Sequence, residues 1–132
     1  MFLLDTDIVI FALKGRPEVV GSLERHARSP MAMSAITLME LYFGAHRSKR
    51  VEANLARVRA LEGSFRIMPA DASIAATFGS LKAGLAAAGN RLDDFDLIIA
   101  STALAYNLTL VSNNERHFGR IEGLRLENWA RV

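Results

Sequence analysis

Acidic side chains stand beside apolar segments at three well-separated places in the chain. Asp5 follows the apolar run 2–4, Glu40 interrupts an apolar segment, and Asp96 opens another. With no cysteine in the chain, carboxylate oxygens favour Mg²⁺ or Mn²⁺ over zinc as the bound cation. Such a cation activates water and neutralises charge on a phosphate. The three acids therefore indicate phosphoryl chemistry, provided that the fold brings them together.

Further polar residues can join these acids. Ser112 and Asn114 directly follow the apolar stretch 108–111. Three aspartates crowd the start of the late helix, where one is enough for capping and the others would repel it without a cation. The histidines lack ligand-like spacing, and His117 is the nearest of them to the candidate site. The remaining polar residues beside these segments are Asp7, Asp93, Asp94 and Asn113.

The elements that must position these groups follow a β-α-α-β-α-α-β-α-α-β-β pattern. Strand 2–4 is apolar without a polar face, which is typical of a strand buried on both sides of a parallel sheet. Ligands bind outside the carboxyl ends of such strands, where Asp5 lies. The predicted strands are 2–4, 31–33, 65–68, 108–111 and 125–127, and the predicted helices include 17–28, 35–47, 51–61 and 71–88, with 116–118 in a short turn.

The fold class is therefore α/β, with a mostly parallel twisted sheet of about four or five short strands covered by helices on both faces. Helix 35–47 is apolar nearly all round, which predicts that it is mostly buried. Glu40 within it is costly to bury unless it is paired or binds a metal. Alternatively, Glu40 lies on the solvent-exposed edge of the helix or pairs with an arginine. For Asp5 the alternative is that it only caps the first helix.

Composition limits the class of protein. The 132 residues predict one domain, 1–132, whose 51% hydrophobic content supports a core. No apolar stretch is long enough to cross a bilayer, and Met1 leads directly into a strand, so we expect neither a membrane span nor a signal peptide. The absence of cysteine is consistent with a cytoplasmic location.

Arginine dominates the basic residues. Of sixteen, only Lys14, Lys49 and Lys82 are lysines, which leaves thirteen arginines at a net charge of +2. Arginine grips phosphate bidentately and stacks on bases, so a nucleic-acid partner is plausible. A high-GC coding bias would give the same ratio.

Four segments in order carry a family resemblance: LLDTDIVI, ITLMELYFGA, DDFDLIIASTA and LTLVSNNERHF. Because of these segments and the ending GLRLENW, the chain resembles PIN-domain ribonucleases of the VapC toxin type over essentially its whole length. The resemblance implies a PIN-like fold and a Mg²⁺- or Mn²⁺-dependent endoribonuclease, the toxin of a type II toxin–antitoxin pair. Transfer RNA is the leading candidate among its possible RNA targets.

The same resemblance implies roles for individual residues. Asp5, Glu40 and Asp96 match the family's invariant acids and would be the catalytic metal ligands, whereas Ser112 and Asn114 would orient ligands or water. No organic cofactor is implied. Asn114 is an amide where the family often has an acid, and Asp7 stands where such toxins usually carry asparagine. Water would attack an RNA phosphodiester and leave 5′-phosphate and 3′-hydroxyl ends.

Partners follow from the resemblance as well. It implies a cognate VapB-type antitoxin, an RNA substrate, a homodimer and a larger hetero-oligomer with the antitoxin. An arginine of the antitoxin would suit the acidic site. Candidate contacts for RNA are Arg47, Arg50 and Arg116, and candidates for the antitoxin are Val9, Phe11, Leu13, Tyr42 and Phe43.

Two rival functions stay open. The segment DTDIV also fits the nucleophile motif of haloacid-dehalogenase-type phosphatases, and LTLVSN resembles their second motif. Those enzymes need a later lysine and acidic pair, however, and neither follows Ser112. The other rival is a catalytically weak PIN-like binding module.

Overall fold

A computed structural model describes residues 1–131, and its centre is a sheet of five short strands flanked by helices. The strands are β1 (Phe2–Leu4), β2 (Met31–Ser34), β3 (Arg66–Met68), β4 (Thr109–Val111) and β5 (Leu126–Glu127). The helices are α1 (Thr6–Leu13), α2 (Pro17–Arg25), α3 (Ala35–His46), α4 (Val51–Ser64), α5 (Ala72–Ala87), α6 (Asp94–Tyr106) and α7 (Glu115–Phe118). This confirms the predicted α/β class.

The strand order is β3-β2-β1-β4-β5, and every neighbouring pair is parallel. The chain moves outward from β1 to β3 and then returns to place β4 on the other side of β1. Such a reversal point is where open α/β sheets bind ligands. Asp5 N donates to Val111 O at 2.9 Å, so the first residue beyond β1 is joined to the last residue of β4 at this point.

The core lies in two layers, one on each face of the sheet. Side chains alternate along a strand, so Leu3 and Leu110 pack on one face whereas Leu4 and Val111 pack on the other. Helices α5, α6 and α7 cover the first face, and α1, α2 and α4 cover the second. Helix α3 contributes to both layers. This burial fixes β1 and β4, the two strands that carry the site.

Several predicted boundaries differ from the observed ones. Helix α2 ends at Arg25 rather than near residue 28, α4 continues to Ser64, and β5 has two residues instead of three. Residues 115–118 form the short helix α7, so the prediction of a turn at 116–118 is wrong. The fully buried Phe118 anchors this single helical turn to the core.

The prediction that α3 is mostly buried is wrong along one edge. Met39 is 57% exposed and Phe43 is 62% exposed, whereas Leu41 between them is buried. A helix that is apolar all round has no polar stripe in its sequence to show which side faces solvent. Val9, predicted as an antitoxin contact, is buried in the core instead.

None of the helices within residues 1–131 combines the length and the hydropathy needed to cross a bilayer.

We expect Leu110→Ala to lower the free energy of unfolding by about 2–5 kcal/mol, because it leaves a cavity beneath the central strands. Leu110 is fully buried. Equilibrium urea denaturation measures the loss, and Met39→Ala, at an exposed apolar position, is the control with a change within about 0.5 kcal/mol. A loss below about 1 kcal/mol for Leu110→Ala would contradict this description of the core.

Candidate active site

The acidic residues predicted from sequence meet at the carboxyl edge of β1 and β4. Asp5, Asp7, Glu40 and Asp96 line one open depression, and Asn114 lines it with them. Thr6, Ile10 and Asn113 complete its wall. Strand β1 delivers Asp5, the first turn of α6 delivers Asp96, and the middle of α3 delivers Glu40. The sequence prediction of one gathered site therefore agrees with the geometry.

Asp5 is the most firmly held of these acids. It caps α1 by accepting a hydrogen bond from Thr6 N at 2.8 Å, so the capping alternative is also true. Its other oxygen accepts from Ser112 Oγ at 2.8 Å, and that hydroxyl oxygen accepts from Asn114 N at 2.9 Å. Only 6% of Asp5 is exposed. The carboxylate is therefore fixed before any ligand arrives.

Glu40 is tied to the same edge of the sheet through Thr6. The Thr6 hydroxyl donates to Glu40 Oε1 at 2.7 Å, and the buried Thr37 hydroxyl lies 3.1 Å from Thr6 Oγ1. Glu40 is half-buried. No arginine forms an ion pair with it within residues 1–131, so its alternative role as an arginine partner fails. The hydrogen bond from Thr6 to Glu40 was not predicted from the sequence, although the position of a threonine between two aspartates was a usable signal.

Asp96 has a different kind of neighbour. Its Oδ2 lies 4.0 Å from His117 Nδ1, and the same ring nitrogen lies 3.0 Å from Asn114 Nδ2. Asn114 lines the acidic depression, and His117 on α7 lies next to Asn114 and Asp96. His117 is close to the site, although its spacing in sequence gives no ligand pattern.

Asp7 bridges two segments of the wall. Its Oδ2 accepts from Asn113 N at 3.1 Å, which links α1 to the loop after β4. The Asn113 side chain is held in turn by Asn128 Nδ2 at 3.1 Å. Asp7 Oδ1 is buried without any hydrogen-bond partner.

Burial and mutual repulsion raise the pKa of all three aspartates. For Asp7 the pKa rises to about 6, chiefly through desolvation and then through the charge of Asp5. Desolvation also raises the pKa of Asp96 to about 6, with further repulsion from Asp5 and Asp93. The pKa of Asp5 is raised by burial, against the opposing effect of its hydrogen bonds from Ser112 and Thr6. The site therefore carries negative charge at an energetic cost.

Few positive charges offset that cost. The Lys and Arg ion pairs within residues 1–131 are Arg16–Glu18, Lys82–Asp94 and Arg131–Glu115, and none includes an acid of the depression. In the same residues no three acids or histidines converge closely enough to form a ready-made metal cage. The arrangement is an open, negatively charged surface rather than a closed cavity.

The other predicted residues lie around this depression rather than in it. Asp93 caps α6 through Phe95 N at 3.1 Å, and Asp94 pairs with Lys82 at 2.8 Å. Asp93 still acts on the site through its charge. The arginines predicted to contact RNA lie on the surface outside the depression: Arg47, Arg50 and Arg116.

We expect the stabilising effect of Asp96→Asn to grow as the pH rises from about 4 to about 7 in EDTA. The folded-state pKa of Asp96 is about 6, against an ordinary value of 3.8, so the folded state binds its proton more tightly. This tighter proton binding by Asp96 contributes fully to the free energy of unfolding below about pH 4, and the contribution is lost as the pH rises through about 6. Thermal midpoints at several pH values measure this, with Asp94→Asn as the baseline, and a pH-independent difference would refute it.

Comparison with known proteins shows the family of the chain. A family model described as "PIN domain" matches residues 2–124. The "tRNA(fMet)-specific endonuclease VapC" of Shigella flexneri is 38% identical over 129 residues, covering 98% of each chain. "Ribonuclease VapC2" of Haemophilus influenzae is 40% identical over 130 residues, again covering 98% of each chain.

Solved structures give the same result. VapBC2 from Rickettsia felis, bound to a DNA fragment from their promoter, matches with a TM-score of 0.91 at 35% identity, covering 97% of this chain and 98% of that one. DNA-bound VapBC from Salmonella typhimurium matches with a TM-score of 0.90 at 37% identity, covering 97% of both. The chain therefore belongs to the PIN-domain family and, within it, to the VapC ribonucleases.

Proposed function

We propose that this chain is a divalent-metal-dependent endoribonuclease toxin that hydrolyses transfer RNA and is silenced by a VapB-type antitoxin. The observation that carries the proposal is the gathering of Asp5, Glu40 and Asp96 around one depression, where no lysine or arginine of residues 1–131 pairs with them. The names of the relatives support the substrate class, since one is a transfer-RNA endonuclease.

The donor set fits Mg²⁺ or Mn²⁺. Asp5, Glu40 and Asp96 would hold the ion, and their oxygens are the hard ligands that both cations prefer. Mg²⁺ usually keeps several waters and needs only one or two carboxylates from the protein, so an open site without a ready-made cage is suitable. Burial, and then repulsion from Asp5 and Asp93, raises the pKa of Asp96 to about 6, and a bound cation would favour the charged form of this carboxyl.

A bound cation supplies Lewis-acid catalysis and makes water a stronger nucleophile at neutral pH. The protein side chains supply the orientation. Ser112 and Thr6 N fix both oxygens of Asp5, and the Thr6 hydroxyl fixes Glu40. Because these acids are positioned in advance, little reorganisation is needed when RNA binds.

The reaction is an in-line displacement at phosphorus. A water oxygen forms a bond to the phosphorus and the water loses a proton, while the bond to the 3′-oxygen breaks and that oxygen takes up a proton. The products carry 5′-phosphate and 3′-hydroxyl ends. Arg47, Arg50 and Arg116 on the surface would bind the RNA backbone, because guanidinium groups form bidentate contacts with phosphate.

The antitoxin would bind beside the same depression. Ile10 lines it and is 36% exposed, and Met39 and Phe43 on α3 are more exposed still. Apolar side chains of this size beside an acidic depression suit a partner that combines an apolar helix with an arginine. The structural relatives are VapBC pairs, which supports a complex of this kind. The proposal includes a homodimer of this chain and a larger hetero-oligomer with the antitoxin.

The test of catalysis is cleavage of transfer RNA by antitoxin-free protein in Mg²⁺ or Mn²⁺. We expect Asp5→Asn to reduce the cleavage rate at least about a hundredfold, because a metal-binding carboxylate supports several kcal/mol of transition-state stabilisation. EDTA should abolish cleavage by the unaltered chain. Asp94→Asn is the matched control, since it removes an exposed aspartate that pairs with Lys82, and it should keep the rate within about threefold.

Cleavage that survives both EDTA and Asp5→Asn would contradict the proposal. So would hydrolysis of an aryl phosphate by a folded protein that leaves transfer RNA intact, because that result is expected of the phosphatase alternative. The comparisons favour the nuclease over this alternative and over a catalytically weak module.

A further inference from the structure

Asp7 has a side-chain oxygen that the protein leaves without a partner. Asp7 Oδ1 is the only buried side-chain nitrogen or oxygen within residues 1–131 that has no hydrogen bond. Buried polar atoms in folded proteins are nearly always satisfied, so each exception calls for an explanation. At this position the oxygen belongs to a charged group, which raises the cost further.

The orientation of this carboxylate is fixed by its other oxygen. Asp7 Oδ2 accepts from Asn113 N at 3.1 Å, and Asn128 holds the Asn113 side chain. Asp7 therefore cannot rotate freely to pair Oδ1 elsewhere without losing this link. The side chain lines the depression together with Asp5 and Asp96.

A partner with positive charge would satisfy this oxygen and also reduce the repulsion between the carboxylates of the depression. Asp5 and Asp96 share the depression with Asp7, and no lysine or arginine of residues 1–131 forms an ion pair there. A water molecule would satisfy the oxygen but leave the repulsion between carboxylates unchanged. A divalent cation would do both. Asn114 on the same wall carries an amide and adds no charge.

We propose that Asp7 is a fourth carboxylate of the cation site and that its unpaired Oδ1 binds the divalent ion directly or through water. This inference rests on the proposed function, since it concerns the same cation. It adds a residue outside the three acids Asp5, Glu40 and Asp96. The fourth acid would then come from Asp7 in the first turn of α1. The loop after β4 carries the uncharged Asn114 instead.

The experiment is a Mn²⁺ titration of the full chain by isothermal calorimetry at one fixed pH. In Asp7→Asn the amide oxygen can still accept from Asn113 N, so the link is kept and only the charge is lost. We expect the Mn²⁺ Kd to rise at least about tenfold. The thermal midpoint without metal should stay level or increase, and the increase caused by Mn²⁺ should shrink.

Two further variants serve as controls for the Asp7→Asn titration. Asp7→Ser keeps a small acceptor without charge and should lose affinity to the same extent, which separates the charge from any folding defect of one variant. Asp94→Asn removes one nearby exposed charge that already pairs with Lys82. Its Kd should stay within about twofold, and an equal loss here would overturn the inference by showing only a long-range charge effect.

Asp5→Asn separates the two proposals. If Asp5→Asn weakens Mn²⁺ binding about tenfold whereas Asp7→Asn stays within about twofold, the role of Asp7 is refuted and the proposed function stands. If Asp5→Asn also leaves binding unchanged, the cation site itself fails and the inference fails with it.

Discussion

Repulsion between carboxylates that share one depression is the constraint on which the site depends. Burial is the largest cause that raises the pKa of Asp5, Asp7 and Asp96, and repulsion from neighbouring carboxylates raises each of these pKa values further. No lysine or arginine ion pair relieves the charge within residues 1–131. Such an arrangement is unfavourable for the protein alone and becomes favourable when a cation binds. A cation bound in the proposed site would offset this cost.

The fold supplies the rigidity that holds these charges together. The reversal of strand order between β1 and β4 places Asp5 beside Ser112, and fully buried Leu3 and Leu110 hold those two strands in the core. Hydroxyl groups then fix the acids, Ser112 for Asp5 and Thr6 for Glu40. Each of these groups donates to a carboxylate without adding charge, so the site is ordered yet still negative.

Much of this arrangement was predictable because it depends on local signals. The apolar run 2–4 ending in Asp5 predicted strand β1 and the edge of the sheet at which the depression lies. The exposure of Met39 and Phe43 was not predictable, since α3 has no polar face to mark its outer side. The Thr6–Glu40 bond and the unpaired Asp7 oxygen arise from contacts between distant segments, which spacing along the chain does not reveal.

The most direct test of the account is the position of Mn²⁺ in a crystal of the protein soaked in that ion. Anomalous scattering locates the ion without reference to activity. We expect a peak in the depression, within ligand distance of Asp5 or Asp96 directly or through one water. A fully occupied peak elsewhere, with none in this depression, would contradict the claim that these carboxylates are gathered to bind a divalent cation.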